Sequence, residues 1–323
     1  MNGLLHLDDA TIAELLDPAS VTESVRAAFA AWGHGEAATT PRVRAAAGGL
    51  MASAMAAVVP PYSGGKVYAT RKGAFTFVIA LFDVEGMLVC TLDGDTITRL
   101  RTPAVSALAI RELAVPGSAT AALIGTGRQA WSHLEMLGRE LSGLTQVAVC
   151  GRRETAVVEL VDRARAAGIP AVPVTTPERA VDGADVVVTV TASTEPLFSA
   201  DVVGDRTLLC AVGATKYDRR ELGCDVVARC AAVVCDDVAG SKIECGDLIG
   251  AAAGGAFDWE CAIELGDLLA GQVDVPRAGD APILFETQGV AIQDVAVAAL
   301  AYERYRTRPA STSSQRPHEG ETA

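Results

Sequence analysis

The stretch that most restricts the fold is TAALIGTGRQAWSHLEML, residues 120–137. It joins an apolar run typical of a buried strand to a glycine-rich loop and then to an amphipathic helical pattern. In such a loop the first glycine permits a tight turn, the second lets the backbone approach a pyrophosphate, and a small sixth residue allows the helix to pack on the strand. The stretch predicts a dinucleotide-binding unit with contacts from Gly125, Thr126, Gly127, Arg128, Gln129 and Ala130.

The chain after about residue 117 repeats this alternation. Short apolar runs, among them QVAVC, DVVVTVT, RTLLCAV and AAVVC, are separated by helical patterns such as ETAVVELVDRARAAG. Continuous β-branched runs spaced by amphipathic helices indicate parallel strands that are buried on both faces of a sheet. We therefore expect an α/β protein in which residues 117–288 form a Rossmann-type, doubly wound parallel sheet that binds NAD(P).

The first 116 residues have a different pattern. DPASVTESVRAAFAAW is typical of a capped amphipathic helix, and GGLMASAMAAVV, KVYAT, FTFVIALFD and LVCTLDG are strand-like runs. We expect an α+β substrate-binding domain over residues 1–116, completed by a returning helix at 289–307. The Ser-, Pro- and Thr-rich residues 308–323 are expected to be disordered.

Composition and charge argue against several classes of protein. The net charge is −13 and no run of Lys or Arg exceeds two residues, whereas binding to a phosphate backbone needs a concentrated basic face. This excludes nucleic acid as an expected partner. The N-terminus meets acidic residues too early for a secretory signal, and no apolar segment is long enough for a membrane span, so we expect no membrane partner and a cytoplasmic location. The eight cysteines and four histidines show no metal-ligand spacing, so we expect reduced thiols and no metal.

The end of the second strand predicted for the parallel sheet bears on the choice of cofactor. An acidic residue for the ribose hydroxyls is expected there in an NAD enzyme, but this chain reads VAVCGRRE. The forks of Arg152 and Arg153 match a 2′-phosphate, which favours NADPH, with NADH possible. Alternatively, the arginines only begin the next helix in solvent, and Glu154 would weaken the preference.

Motifs spread over residues 10–305 give the chain a resemblance to one known family. They are GGKVYAT, VIALFDVEGMLVCTLDGDTITRLRTPAVSALA, the glycine-rich loop, TVTASTEPLF, CAVGATKYDRREL, VVCDD, ECGDLI and FETQGVAIQDVAVA. This set resembles the ornithine cyclodeaminase and mu-crystallin family, which also includes ketimine reductases and one type of alanine dehydrogenase. The resemblance implies a homodimer formed through the sheet of the first domain, with GGLMASAMAAVV as an interface strand.

The resemblance also implies roles for charged residues of the first domain. The lysine that matches Lys66 faces the nicotinamide across a small amino- or imino-acid substrate, so we expect Lys66 to be catalytic and its charge to be balanced by the substrate. Arg101, in RLRTPA, is the expected clamp for the substrate carboxylate. Arg42 and Arg44 are both candidates for a second clamp, because alternation in a strand puts them on one face. Lys72 is a competing match for Lys66 but lies in the turn-like RKG.

One departure from the family pattern bears on the reaction. Cyclodeaminases carry an aspartate at the position of Thr215, where it contacts the amino group of a diamino acid. Threonine cannot ionise, so we expect NAD(P)H-dependent reduction of a cyclic or open imino acid, such as pyrroline-2-carboxylate, with amino-acid oxidation as the reverse reaction. Lys66 would donate a proton or a hydrogen bond to the imine nitrogen, and neighbouring arginines would lower its pKa. Two alternatives stay open: a cyclodeaminase-like ammonia lyase that retains NAD, and a binding protein for a small ligand and NADPH without catalysis.

Further cofactor contacts are expected at the carboxyl ends of strands. TVTAST either offers hydroxyls to the cofactor crevice or is a strand end that simply tolerates them; the residues concerned are Thr189, Thr191 and Ser193. We also expect Gly213 near the cofactor and Gly289 beside the nicotinamide, where Asp294 would help to pack the returning helix against the first domain. The side-chain pocket carries no motif, so the sequence does not predict which imino acid is bound.

Overall fold

The structure, a computed structural model, describes residues 4–275 and 281–308; the tail beyond 308, predicted to be disordered, lies outside the described residues. The strands are β1 (Leu5–Leu7), β2 (Ala38–Thr39), β3 (Val43–Ala47), β4 (Leu50–Val59), β5 (Tyr62–Arg71), β6 (Ala74–Phe82), β7 (Leu88–Asp93), β8 (Thr120–Ile124), β9 (Gln146–Cys150), β10 (Ala171–Pro173), β11 (Val186–Thr189), β12 (Leu208–Ala211), β13 (Ala232–Cys235), β14 (Ala262–Glu264) and β15 (Ile283–Glu286).

The α-helices are α1 (Asp9–Leu15), α2 (Pro18–Gly33), α3 (Asp95–Leu113), α4 (Ala130–Glu140), α5 (Glu154–Ala166), α6 (Pro177–Val181), α7 (Cys224–Arg229), α8 (Val238–Glu244), α9 (Gly246–Ala253), α10 (Leu265–Leu269) and α11 (Ala291–Arg306). Local signals account for the predicted helix α2: Asp17 caps it by accepting a hydrogen bond from the Ser20 backbone N–H at 2.9 Å, and Pro18 occupies its first turn.

The first sheet contains β1 to β7 in the order β1-β7-β6-β5-β4-β2, with β3 paired to the free part of β4. Only β1 and β7 run parallel; the other neighbours are antiparallel. The inner face of β4, β5 and β6 packs against α11, which returns from the end of the chain and also contacts α2. The last helix, α11, therefore packs on the first sheet.

The second sheet is wholly parallel, in the order β10-β9-β8-β11-β12-β15-β13-β14. The predicted α/β fold class with a Rossmann-type sheet is confirmed. The sequence predicted six of these strands and missed β14 and β15, which have three and four residues. β15 inserts between β12 and β13, so the chain that follows it emerges at the carboxyl edge of the sheet and leads into α11.

Two further observations concern the whole of the described chain. All eight cysteines are unpaired thiols. Across residues 4–275 and 281–308, no helix combines the length and the apolar character that crossing a bilayer requires.

Candidate active site

A cavity of about 260 Å³ lies where the inner face of the first sheet meets the loops at the carboxyl edge of the second. The first sheet, α3, the glycine-rich loop and the loops after β12 and β15 all contribute to its wall. The lining residues predicted from the sequence are Arg42, Arg44, Lys66, Arg101, Arg128, Gln129, Thr215 and Gly289. The residues that were not predicted include Met51, Met55, Tyr68, Phe75, Phe77, Thr98 and Lys216.

Lys66 projects from β5 into this region and is only 1% exposed. Its Nζ lies 3.0 Å from Asp294 Oδ1, 2.5 Å from Thr98 Oγ1 and 4.4 Å from the centre of the Phe77 ring. The prediction that the substrate alone balances this charge is wrong, because Asp294 of α11 forms an ion pair with it. Lys72, the competing match, lies exposed in the β5–β6 turn with a φ of +49°.

Burial is the main cause of a lowered pKa at Lys66, which falls to about 8. Asp294 acts in the opposite direction, while Arg101 and Arg42 lower the pKa further. The predicted effect of the arginines therefore exists but is secondary to desolvation. For Asp294, burial alone would raise the pKa, yet Lys66 and Arg101 outweigh it and the net shift is downward. The single carboxylate of Asp294 faces both Lys66 and Arg101, so its negative charge is fully balanced while each of the two positive charges is balanced only in part.

Arg101, on α3, is 6% exposed and is held from one side. Its Nη1 donates to Gln293 Oε1 at 2.8 Å, and its Nε lies 3.4 Å from Asp294 Oδ1. Within the described residues its Nη2 has no hydrogen-bond partner. Gly289 makes room for the guanidinium: a Cβ there would lie 2.4 Å from Arg101 Nη1, and its φ is +78°. This leaves one edge of the guanidinium without a partner among the described residues.

Arg42 and Arg44 converge on a single carboxylate, that of Glu244 at the end of α8. The distances are 2.6 Å from Arg42 Nη1 to Oε2 and 2.9 Å from Arg44 Nη1 to Oε1. Arg42 Nη2 also donates to the carbonyls of Gln288 at 3.0 Å and Gly289 at 2.6 Å, whereas Arg44 Nη2 donates to the Thr215 carbonyl at 3.1 Å. The two arginines share one face, as the alternation predicted, but Arg42 is bound by more protein atoms than Arg44.

Asp236, buried after β13, fixes the loop that carries those carbonyls. It accepts hydrogen bonds from Thr287 Oγ1 at 2.5 Å and from the backbone N–H groups of Gly289 at 2.8 Å and Gln288 at 3.2 Å. Burial raises its pKa to about 6 against these hydrogen bonds. Asp236 thus holds residues 287–289 where they can contact Arg42 and accommodate Arg101.

The glycine-rich loop has the shape that a dinucleotide needs. Gly125 has a φ of +122°, and a Cβ on it would lie 2.7 Å from the Val190 carbonyl oxygen. A Cβ on Gly127 would meet no atom within 4 Å, so its surface is open to a ligand. α4 begins at Ala130, which is buried against the sheet, and its N-terminus faces the loop. These residues fit a bound pyrophosphate. Arg128 turns toward the Phe75 and Phe77 rings of the first sheet and pairs with Asp95 at the start of α3.

Arg152 and Arg153 follow β9 and are exposed, and among described residues neither side chain has a partner.

The end of β11, which carries the predicted hydroxyl groups, is held by the buried carboxylate of Glu221. Its partners are Thr189 Oγ1 at 2.8 Å and the backbone N–H groups of Thr191 at 2.6 Å and Gly213 at 2.7 Å. Ser193 Oγ donates to the Glu195 carbonyl at 2.7 Å. Cofactor contacts by these residues stay a prediction.

The sequence reasoning missed the acidic residues that place the site. Asp294 was expected only to pack a helix, and Glu244, Asp236 and Glu221 were assigned no role. A signal was present, because each lies inside a motif that carries the family resemblance: FETQGVAIQDVAVA, ECGDLI, VVCDD and CAVGATKYDRREL. Within residues 4–275 and 281–308, no group of three or more His, Cys, Asp and Glu side chains is arranged to hold a metal ion.

Comparison with known proteins agrees with this architecture. A sequence model of the ornithine cyclodeaminase/mu-crystallin family matches residues 6–308. The chain is 36% identical over 232 residues to a Delta(1)-pyrroline-2-carboxylate reductase of Burkholderia multivorans, covering 72% of this chain and 70% of that protein. It is 30% identical over 315 residues to an iminosuccinate reductase of Paracoccus denitrificans, covering 93% and 96%.

A solved structure has the same fold. The Delta(1)-pyrroline-2-carboxylate reductase of Thermococcus litoralis, in complex with NADH and L-proline, aligns with a TM-score of 0.88 at 25% identity, covering 94% of this chain and 98% of that one. The match of the family model to nearly the whole chain, together with these two relatives, decides the relationship. The chain belongs to the ornithine cyclodeaminase/mu-crystallin family.

Proposed function

We propose that the protein is an NAD(P)H-dependent reductase that converts a small imino acid to the amino acid, and that it oxidises the amino acid in reverse. The observation that carries this proposal is the placement of Lys66. Its ammonium group is buried and held between Asp294 and Thr98 at the wall of a cavity that also contains Arg101 and part of the glycine-rich loop. A lysine with a pKa of about 8 is suited to give or take a proton near neutral pH.

The roles of the side chains follow from their free atoms. The unpartnered edge of Arg101 would bind the substrate carboxylate, and Arg42 or Arg44 would supply a second contact. Lys66 would hold a proton for the imine nitrogen, which gains it as the C=N double bond becomes a single bond. A bound nicotinamide supplies the hydride that adds to the imine carbon. Asp294 keeps Lys66 charged and fixes its direction, so it acts as a positioning residue.

The cofactor is proposed to be NADPH in preference to NADH. Arg152 and Arg153 support this because they lie at the carboxyl end of β9 with their charges uncompensated by any described side chain. That edge is where a Rossmann-type sheet receives the adenosine ribose. A cytoplasmic location is also part of the proposal, and the eight unpaired thiols support it.

The composition of the cavity favours reduction over cyclodeamination. Among its described lining residues there is no carboxylate, and Thr215 occupies the loop after β12. A diamino acid would bring a second ammonium group into a cavity lined by arginines and lysines, with no anion to receive it. The relatives named above act on a cyclic imine with one carboxylate and on an open imine with two, so both kinds belong in a substrate test.

The test is a panel of substrates offered to the purified protein with NADPH and with NADH. The panel contains cyclic imines such as pyrroline-2-carboxylate, 2-oxo acids with ammonium, and the diamino acids ornithine and lysine. We expect imino acids to consume the reduced cofactor, seen as loss of its absorbance. Release of ammonia from a diamino acid without net cofactor consumption would establish a cyclodeaminase instead, and tight NADPH binding without turnover would establish a binding protein.

A further inference from the structure

The charges around the cavity are more than one carboxylate can balance. Arg42 and Arg44 share Glu244, at 2.6 and 2.9 Å, and Lys66 and Arg101 share Asp294, at 3.0 and 3.4 Å. With Lys66 protonated, each cluster of two cations and one carboxylate has one positive charge in excess. A substrate with a single carboxylate can neutralise one cluster only. The other is left with an uncompensated charge at a mostly buried site, which is costly.

The strand register places Lys66 and Arg44 on adjacent rows of the inner face. One row contains Met55 opposite Lys66, and Arg42 Nη2 lies 3.8 Å from Met55 Sδ. The next row contains Arg44, Ser53 and Tyr68, because Arg44 pairs with Ser53 and Ser53 with Tyr68. Rows on one face are two residues apart, which is about 6.6 Å along a strand. A chain of four or five carbons with a carboxylate at each end spans that separation.

The second row has unused hydrogen-bond donors. Ser53 is 2% exposed, and its Oγ has no partner among the described residues. The Tyr68 hydroxyl makes no hydrogen bond to another described residue, although its ring contacts Phe77 at 5.2 Å between centroids. A buried hydroxyl without a partner costs free energy unless a ligand satisfies it. Tyr68 is half-buried and lines the cavity, so its hydroxyl is available to a polar group of a ligand beside Arg44, whereas Ser53 is not one of the lining residues.

Lys216 adds a further cation on the opposite wall. It follows Thr215, whose carbonyl accepts a hydrogen bond from Arg44 Nη2 at 3.1 Å, so the backbone of this loop lies against the arginine. Lys216 lines the cavity, is half-buried and has no ion-pair partner within the described residues. The cavity has cationic and hydroxyl groups around its second row, and none of its described lining residues is acidic.

From this arrangement we propose that Arg44, Tyr68 and Lys216 form a second anion site, which binds the distal carboxylate of the substrate. The substrate class is then a 2-imino dicarboxylate, reduced to an amino dicarboxylate such as aspartate or glutamate. The Arg101 and Lys66 row binds the α-carboxylate and the reacting carbon. This inference rests on the proposed reductase function and specifies its substrate.

Amino acids that differ only in the distal group test the proposal in the oxidative direction. The purified protein is given NADP⁺ with L-aspartate, L-asparagine, L-glutamate, L-glutamine, L-alanine or L-proline, and kcat/KM is measured for each. Asparagine and glutamine match the acids in size and lack the charge. We expect the acid of at least one matched pair to exceed its amide by about tenfold or more, the value of a charge-assisted hydrogen bond.

Two variants test whether Lys216 and Tyr68 cause the preference for the acid over the amide. In Lys216→Met the acid-to-amide ratio of kcat/KM should fall at least about tenfold. In Tyr68→Phe, which keeps the ring, it should fall by a smaller factor. Lys72→Met is the matched control, because it removes the same charge from the exposed β5–β6 turn and should leave the ratio unchanged. Circular dichroism and thermal melting verify that each variant is folded.

The outcomes separate this inference from the proposed function. Oxidation of alanine, proline or the amides as fast as the acids would overturn the second anion site and leave the reductase function standing. A Lys216→Met variant that binds NADP⁺ more weakly but keeps its acid-to-amide ratio would overturn it too, since Lys216 would then serve the cofactor. Absence of turnover with every amino acid here and every imino acid of the wider panel would overturn both.

Discussion

Replacing Lys66 by methionine keeps the length of the side chain and removes its proton and charge. If Lys66 protonates the imine nitrogen in the transition state, turnover should fall by about 10²–10⁴-fold, the usual contribution of a positioned acid. The affinity for NADPH should change little, because Lys66 contacts Asp294 and Thr98 and lies outside the glycine-rich loop. Steady-state kinetics and a cofactor titration on one purified variant measure both quantities.

Other roles for Lys66 give other patterns in the same experiment. A pure carboxylate clamp would raise KM while turnover is kept, as expected for an interaction that is equal in the ground and transition states. A structural charge would change the melting temperature while the folded fraction turns over normally. Unchanged turnover would remove Lys66 from the catalytic residues.

The lowered pKa of Lys66 predicts opposite pH dependences for the two directions. Reduction of an imine needs protonated Lys66, so its rate should fall as the pH rises through about 8. Oxidation of an amino acid needs the neutral amine as a base, so its rate should rise through the same pH. Profiles of kcat/KM in both directions, measured with a poor substrate so that chemistry limits the rate, should show these mirrored inflections.

The variant Asp294→Asn tests whether Lys66 causes the inflection in that pH profile. Burial lowers the pKa of Lys66 most, and Asp294 is the first influence that raises it again. Removing the carboxylate charge should therefore move the inflection to lower pH and weaken imine reduction at neutral pH. An inflection that stays at about 8 in Asp294→Asn would show that another group is titrating.

Residues inside motifs could be singled out from the sequence, but the ion pairs that they form could not. Lys66 and Arg101 were recognisable because GGKVYAT and RLRTPA are contiguous. The carboxylates that pair with Lys66 and Arg42 were not recognisable, since Asp294 is 228 positions from Lys66 and Glu244 is 202 positions from Arg42. Spacing along a chain predicts neighbours on one helix or strand, but it does not predict which distant carboxylate the fold brings to a buried cation.

Among the connecting elements, the loop between β15 and α11 requires glycine at position 289, and this requirement can be tested. Gly289 has a φ of +78°, and a Cβ there would lie 2.4 Å from Arg101 Nη1. Gly289→Ala should therefore displace the Arg101 guanidinium and raise the KM for the imino acid at least about tenfold, the value of one charged hydrogen bond. It should also lower the free energy of unfolding by about 1–2 kcal/mol, because alanine is strained at positive φ.

Gly168→Ala separates the two effects. Gly168 has a φ of +79°, but no atom lies within 4 Å of the position of its Cβ. The control should lose similar stability in chemical denaturation and keep its KM. Equal KM values in Gly289→Ala and the wild type would contradict the role of this loop in placing Arg101.

The prediction about cofactor choice concerns two arginines at the junction between β9 and α5. Replacing both Arg152 and Arg153 by neutral glutamine should weaken NADPH at least about tenfold per lost charged hydrogen bond, and NADH far less. Both side chains are exposed, so the fold should tolerate the change. Dissociation constants from fluorescence titration provide the measurement, and equal losses for the two cofactors would reject the proposed 2′-phosphate contact.

Elements were predictable in proportion to their length and periodicity. α2 and the first strand and helix of the Rossmann-type unit have complete signals, with a cap or a glycine-rich loop at one end. β14 and β15 have three and four residues, too few for a period to be read, and β15 enters the sheet out of chain order. Its position follows from tertiary packing, and that position brings Gly289 and Asp294 to the cavity.

For the molecule as a whole, the distribution of charge is as informative as its sum. The net charge is −13, yet the cavity is lined by arginines and lysines. The acidic surplus therefore lies outside the described lining of the cavity, where a small anion meets a cluster of cationic side chains. A local cluster in a concave site can focus the field on such a ligand even when the net charge repels it.

The outer face of the first sheet has an apolar centre, which stays exposed in the part of the chain that the structure describes. One register row across four strands contains Val43, Ala54, Val67 and Val78. The three valines are 66%, 51% and 44% exposed. Contiguous apolar surface of this kind is typical of a protein–protein interface. With the family resemblance, it supports the proposal that two copies associate through this face.

A charge placed in the centre of that row should separate the copies. Val67→Glu would put two carboxylates into the apolar contact of a symmetric dimer, where they repel each other and lose hydration, so we expect the variant to be a monomer. The matched control is Val158→Glu on α5, where the valine is 44% exposed on the other unit and the dimer should persist. Light scattering coupled to size exclusion at micromolar concentration gives the mass of each protein. A wild-type protein with the mass of one chain, or a Val67→Glu variant with the mass of two, would contradict association through this face.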